Sequence, residues 1–286
     1  MFEIIKHNVI HTFKHSVKLI PFLLITYLIM EYIEHKTSNK VKETIKKSGK
    51  FGPIIGSILG IFPQCGFSVS ATNLYAARVI SLGSLIAVYL TTSDEMLPIF
   101  ISESVPGIVI FKILVTKLII GMIAGSIIDF VLRIRKKEDK EKIEELCEKE
   151  NCNCEHGIIK SSIKHTVSIF IFIFIFTLII NLLIQFIGED TIAKFVKGKM
   201  ILGPVIAGLV GLIPNCASSV ILTQLYLKGI ISVATMISGL SVGAGIGIAV
   251  LYKTNKGIKE NLRITGLLYF CGVISGIILQ LIGINF

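Results

Sequence analysis

FGPIIGSILGIFPQCGFSVSATNLYA, residues 51–76, and LGPVIAGLVGLIPNCASSVILTQLYL, residues 202–227, lie on one another without a gap at a constant offset of 151. The register pairs Gly52 with Gly203, Pro53 with Pro204, Pro63 with Pro214, Cys65 with Cys216, Ser68 with Ser219 and Tyr75 with Tyr226. The same offset carries Ser81 onto Ser232, Gly121 onto Gly272 and Gly125 onto Gly276, while Lys14-His15 meets Lys164-His165 at an offset of 150. Self-similarity over this length marks a duplicated architecture. The chain divides accordingly into a first unit of about five apolar segments at residues 1–132, a charged linker at 133–164 and a second such unit at 165–286. Duplicated halves are how many secondary transporters are built, with the substrate held near the midplane where the halves meet. A scaffold or membrane enzyme that merely kept an old duplication is the competing reading.

The units are membrane units. Of 286 residues, 52% are hydrophobic and 17% charged, and the mean hydropathy of +0.78 excludes a soluble domain with a polar surface. Val17 to Ile33, Ile108 to Leu132, Val167 to Ile187 and Ile264 to Ile284 are each long enough to cross a hydrocarbon core of about 30 Å. The expected fold class is all-α integral membrane, in a multi-pass protein of the cell membrane whose first partner is the lipid bilayer. Lys6, Lys14 and three histidines precede the first apolar run with no small-residue cleavage site, so a removable signal peptide is not expected. The net charge of +10 falls mostly beside apolar spans, where anionic headgroups account for it and nucleic acid is not implied. Cys65, Cys216 and Cys271 stand in apolar sequence and Cys147, Cys152 and Cys154 in the charged linker, which is no disulfide framework.

The motifs repeated most faithfully are those that interrupt helices. Pro63-Gln64-Cys65-Gly66 cuts its apolar stretch into arms of about eleven residues, roughly half a bilayer each, and Pro214-Asn215-Cys216-Ala217 does the same in the second half. Such arms suit a re-entrant hairpin whose tip faces protein or a wet cavity, because proline removes a donor and leaves backbone groups to be satisfied. A proline kink in one continuous span is the alternative. With hairpins, each half crosses three times and the halves are inverted; Lys36 to Lys50, Arg133 to Lys164 and Lys253 to Arg263 then fall inside, and Glu103 to Gly107 outside. A second interruption, Thr91-Thr92-Ser93-Asp94-Glu95, puts two adjacent carboxylates past the middle of the segment from Ser81 to Ile101. Carboxylates at membrane depth normally face a cavity or a cation. Opposite them in the repeat register stands the glycine-rich stretch Gly243-Ala244-Gly245-Ile246-Gly247, able to unwind and lend carbonyl oxygens.

The inferred midplane thus collects thiols (Cys65, Cys216), carboxylates (Asp94, Glu95), the Ser93 hydroxyl and amides (Gln64, Asn73, Asn215, Gln224), with Pro63, Gly66, Pro214, Gly243, Gly245 and Gly247 making the breaks. Oxygen donors suit hard or borderline ions such as Mn²⁺, whereas thiolates suit trivalent arsenic, Cu⁺ or Zn²⁺. These stretches, PQCGFSVSATNLYAARVISLGSLIAVYLTTSDEMLP and IPNCASSVILTQLY, resemble the ten-transmembrane heavy-metal exporter family, and the resemblance covers nearly the whole chain. It implies export of a metal or metalloid, with Cys65, Cys216, Asp94 and Glu95 as the matching positions. The denser cysteine pattern of the more distant arsenical permeases is not found around Cys65, which points away from organoarsenicals. The resulting expectation is a secondary exporter of a divalent heavy metal such as manganese; efflux of trivalent arsenic or organoarsenicals is the alternative, and a membrane-embedded enzyme using Asp94 and Glu95 as acid and base is the weaker one.

No nucleotide-binding G-x-x-x-x-G-K-[ST] string and no catalytic constellation is present, so an enzyme is not expected. No resident cofactor is expected either: the ion is cargo, and a proton carried by Asp94 or Glu95 is the default coupling ion. In the linker, Cys147, Cys152, Cys154 and His156 are compatible with soft-metal capture and equally with a solvated charged segment whose cysteines are incidental. The sequence leaves a homo-oligomer open.

Overall fold

The computed structural model describes residues 51–62, 65–93, 95–134 and 202–284, together with seven positions between 13 and 28 and ten between 162 and 179, all helical; the side chains at 65, 133, 134 and 216 are not among those described. Every regular element among the described residues is a helix. The first half contributes α1 Gly52–Gly60, α2 Cys65–Ala76, α3 Leu82–Thr91, α4 Met96–Ser102 and α5 Gly107–Ile134; the second contributes α6 Leu202–Gly211, α7 Cys216–Leu227, α8 Val233–Val242, α9 Gly247–Thr254 and α10 Ile258–Ile282. Four stretches are long and apolar enough to cross a membrane: Leu82–Ser102, Gly107–Leu132, Val233–Thr254 and Ile258–Ile282. The spans at 17–33 and 167–187 fall mostly outside the described residues, although Phe13 meets Phe170 and Phe174 edge-on.

Local chemistry starts and stops these helices. Pro53 opens α1, where its missing N–H is no loss. Ser81 and Ser232 cap α3 and α8, accepting from Ser84 N at 3.1 Å and Thr235 N at 3.2 Å. Each cap is tied to the last helix of its own half: Ser81 Oγ donates to Asp129 Oδ2 at 2.6 Å, and Ser232 Oγ to Gln280 Oε1 at 2.6 Å. Asp129 also accepts from Gly83 N at 2.8 Å, so its negative charge faces the positive end of α3. The loop before α10 is shorter than the charged stretch from Lys253 to Arg263 suggests. Helix α9 runs to Thr254 and α10 begins at Ile258, because Asn255 and Asn261 bond each other and close the turn within 255–257.

Glycine contacts fix the polarity of the packing. Gly52, Gly56 and Gly60 of α1 lie successively against Ser84, Val88 and Thr91 of α3, so the two run parallel. Helix α2 runs the other way along α3, turning at 77–81 and returning to place Thr72 beside Tyr89. The arms α1 and α2 are therefore antiparallel, and the carboxyl end of α1 lies at the level where α3 ends, with Gly60 against Thr91. The second half repeats this arrangement: Gly203, Ala207 and Gly211 step along Thr235, Gly239 and Gly243, placing 212–215 at the end of α8. Helix α5 packs antiparallel to α3 through Gly121 and Gly125, as α10 does to α8 through Gly272 and Gly276. Close contact through glycine is how helices associate where no hydrophobic driving force separates helix from lipid.

The halves interlock. Helix α2 packs on α9, with Ser68 against Gly247 near the start of both and the Tyr75–Arg78 end near Glu260, so they run parallel. Helix α7 packs on α4, where the Phe100 and Tyr226 rings lie 5.9 Å apart. Tyr252 meets Thr265, which makes α9 antiparallel to α10 and parallel to α8. Hence α3 and α8, each in the same place in its half, point in opposite directions. The segment α8–α9 is buried from Val233 to Leu251, whereas α5 and α10 turn Ile119, Ile123, Ile127, Phe270, Ile274 and Ile278 outward as apolar walls.

A Cβ at Gly125 would stand 2.6 Å from the Gly83 carbonyl oxygen and 2.9 Å from Pro53 and Ala87, whereas nothing lies within 4 Å of one at Gly266. Gly125→Val is expected to destabilise the protein by about 1–3 kcal/mol through overpacking. Gly266→Ala is expected to be neutral or to stabilise by up to about 1 kcal/mol through helix propensity. Thermal unfolding of the two variants in detergent micelles reads both effects.

Candidate functional site

Four helix ends gather at the centre. The carboxyl ends of α3 and α8 arrive from opposite sides, and those of α1 and α6 lie beside them, Gly60 on Thr91 and Gly211 on Gly243. At the end of α3, Thr91, Thr92 and Ser93 are buried, with Thr92 Oγ1 donating to Val88 O at 2.7 Å and Ser93 Oγ to Thr91 O at 3.1 Å. Glu95, half-buried, is the cap residue of α4. Past α8 the chain runs through Gly243, Ala244 and Gly245 to Ile246, all buried. Gly245 has φ +54°, a left-handed conformation that glycine adopts without steric penalty. That glycine stands where the first half carries Asp94.

Cys65 and Cys216 are the first residues of α2 and α7, a backbone position at which aligned peptide dipoles favour negative charge. In the second connection Pro214 is half-buried and Asn215 is 3% exposed in an extended conformation. Ser218 Oγ donates to Asn215 O at 2.8 Å and to Ile213 O at 3.4 Å, taking up carbonyls that the interruption releases. Gly66 is buried in the first turn of α2, and Gln224 is half-buried on α7. Asn73 is 2% exposed, and neither its Nδ2 nor its Oδ1 has a hydrogen-bond partner among the described residues. Burying an unmet amide costs on the order of 1–3 kcal/mol per group, so such a side chain suits a position that water or an ion visits. Pro63, Gln64, Asp94 and the linker group Cys147, Cys152, Cys154 and His156 lie outside the described residues. Among the described residues no three His, Cys, Asp or Glu side chains cluster as a metal-holding group.

The structure adds residues that the sequence reading passed over. Thr72 Oγ1 lies 2.5 Å from Tyr89 Oη, and both hydroxyls lie 3.2 Å from Gly247 O, joining α2 and α3 of one half to α9 of the other at the glycine break. Lys117 of α5 is fully buried, its Nζ donating to Thr92 O and, at 3.2 Å, to Leu240 O. A lysine inside the apolar run from Ile108 to Leu132 was the available signal, the more so because the repeat register pairs it with Leu268.

One end of the interface between halves is closed by an ion pair. Arg78 Nη1 and Nη2 reach Glu260 Oε1 and Oε2 at 2.6 and 2.8 Å, and Tyr75 Oη donates to Oε1 at 2.5 Å. Two parallel bonds of this kind are the strong, directional form of the arginine–carboxylate pair. The hydrogen bonds to Glu260 raise the Arg78 pKa, with burial opposing. Arg78 has φ +60°, whereas its repeat counterpart Gly229 has φ +67°, so a side chain is held where the duplicated backbone suits glycine. The described contacts place no equivalent pair at Gly229.

The chain matches a family described as "Putative, 10TM heavy-metal exporter" over residues 9–187 and 118–245. No curated protein and no solved structure matches it. The family match spans well over half of the chain and agrees with the apolar helices described above. The chain therefore belongs to this ten-transmembrane heavy-metal exporter family and is a multi-pass membrane protein.

Proposed function

We propose that this protein is a secondary transporter that exports a divalent heavy metal such as Mn²⁺ through a site at the centre of the molecule. The observation that carries this reading is the convergence of the carboxyl ends of α3 and α8, where Thr92 O and Leu240 O meet the same Lys117 ammonium. Helix carboxyl ends and unwound carbonyls are what transporters use to hold cations. In this reading Asp94 and Glu95 supply charge, and Ser93, Asn73, Gln64, Asn215 and Gln224 supply neutral oxygen. Asp94 or Glu95 returns a proton when the metal leaves, so a proton gradient drives export. Trivalent arsenic is the second reading, favoured by the placement of Cys65 and Cys216 at the heads of α2 and α7. In either case the linker 133–164 is cytoplasmic, and in the second reading its Cys147, Cys152, Cys154 and His156 collect the soft metalloid for the site.

The test is Mn²⁺ flux into proteoliposomes of the purified protein under an imposed pH gradient, with arsenite and Zn²⁺ in parallel. Gradient-dependent Mn²⁺ accumulation supports the proposal. Accumulation of arsenite alone moves it to the second reading, and absence of flux for all three sinks it.

The same proposal takes the halves as inverted and the α1–α2 and α6–α7 pairs as re-entrant hairpins, which the opposed directions of α3 and α8 support. Inversion places the α4–α5 turn and the α9–α10 turn on opposite faces of the membrane. In a background without reactive cysteines, Ser104→Cys is expected to react with an impermeant maleimide from outside, and Lys256→Cys only after permeabilisation. Labelling of both from one side sinks the inverted arrangement.

A further inference from the structure

Lys117 is the one buried lysine among the described residues, and its place needs a reason beyond packing. An ammonium group at membrane depth is expensive unless it is paired or faces a functional cavity. Two of the oxygens it meets are backbone carbonyls from opposite halves. Thr92 O is the first carbonyl beyond α3, and Leu240 O belongs to the last turn of α8. Leu240 O lacks its usual helical partner, because Ala244 N turns to Val242 O at 2.9 Å as the chain leaves the helix. The last carbonyls of a helix are unsatisfied, and each carboxyl end carries about half a negative charge. Two such ends aimed at one point make a cation site, and the cation there is a tethered one.

The duplicated packing does not require this lysine. Helix α10 packs on α8 through Gly272 and Gly276 as α5 packs on α3 through Gly121 and Gly125, yet the register places Leu268 where α5 has Lys117. The charge at this register position therefore belongs to one half alone. It is carried on a four-carbon stem whose rotamers let the head group move several ångströms without a change of backbone.

Resting on the reading of the centre as a transport site, we propose that the junction of the α3 and α8 carboxyl ends is itself a cation-binding position, which the Lys117 ammonium fills in the metal-free protein. The transported cation takes the same Thr92 and Leu240 carbonyls, and Lys117 swings aside, keeping its proton, when the cation arrives. Its return displaces the ion. A built-in competitor of this kind weakens binding and speeds release, as an exporter requires of a site lined with carboxylates.

The test compares Mn²⁺ affinity of the full-length protein in detergent, by titration calorimetry, for wild type, Lys117→Gln and Lys117→Arg. Glutamine keeps donors for the carbonyls and removes the charge, whereas arginine keeps the charge. Lys117→Gln is expected to bind Mn²⁺ about ten-fold more tightly or better, because a nearby like charge has gone, while Lys117→Arg stays at or below the wild-type affinity. Wild-type affinity in Lys117→Gln, or loss of binding by a variant that still elutes as a folded species, overturns the inference and leaves the transport reading standing. A wild-type protein that binds neither Mn²⁺ nor Zn²⁺ sinks both. Lys117→Ala gives a second measure: methylammonium is expected to compete with Mn²⁺ in that variant and not in wild type. Indifference of Lys117→Ala to methylammonium overturns the inference as well.

Discussion

Asp94→Asn and Glu95→Gln are each expected to lower metal transport on the order of 100-fold, while Cys271→Ala leaves it within a factor of about two. Thr91, Thr92 and Ser93 are buried immediately before Asp94, and Glu95 is half-buried at the head of α4. A carboxylate in that setting must bind a cation or a proton to be tolerated, since an isolated buried charge costs several kcal/mol. Losing one charged ligand removes about 1.5–3 kcal/mol of the interaction. That loss corresponds to roughly ten- to a hundred-fold in affinity, and loss of the coupling proton adds to it. Cys271, by contrast, is a free thiol half-buried on α10 against the Leu85–Leu268 cluster, where it acts as a small apolar filler. Proteoliposome flux, normalised to protein recovered as a monodisperse species, decides the matter. Equal flux in all three variants would place the carboxylates at an interface and remove them from the site.

The second large effect separates the two kinds of cargo. The Cys65→Ser, Cys216→Ser double variant is expected to keep Mn²⁺ transport within about ten-fold of wild type and to lose transport of trivalent arsenic entirely. Manganese is satisfied by oxygen donors, and the double variant still offers Asp94, Glu95, Asn215 and the carbonyls of the Gly243–Gly247 break. Trivalent arsenic is held by thiolates, and the two residues that would supply them head α2 and α7. Parallel uptake assays with the two ions in the same vesicles make the comparison internal. A folded double variant inactive toward Mn²⁺ would transfer the proposal to the metalloid.

How much of this was legible in advance follows from which interactions are local. That the chain crosses a membrane, that its motifs recur at an offset of 151 and that its helices break near Pro63, Thr92, Pro214 and Gly243 can all be read from the residues in order. Proline withdraws a donor, glycine releases the backbone, and apolar length sets a span, whatever the rest of the molecule does. The start of α10 was less legible. The sequence reading placed the charged stretch Lys253 to Arg263 inside without setting where the last helix starts; Asn255 and Asn261 close the turn early, and Lys259 and Glu260 become part of the helix.

Amino-acid order alone thus determined the class of the protein and the residue types available for cation chemistry, because each of these depends on a residue and its near neighbours. Tertiary structure decided which ends meet. It sent α2 to pack on α9 rather than within its own half, set α3 against the direction of α8, tied Arg78 to Glu260, and brought Lys117 to carbonyls of both halves. These partners are separated by 25 to 182 positions along the chain. No periodicity records such pairs; they arise only when apolar faces and glycine contacts choose a packing, and the buried polar groups must then find one another within it.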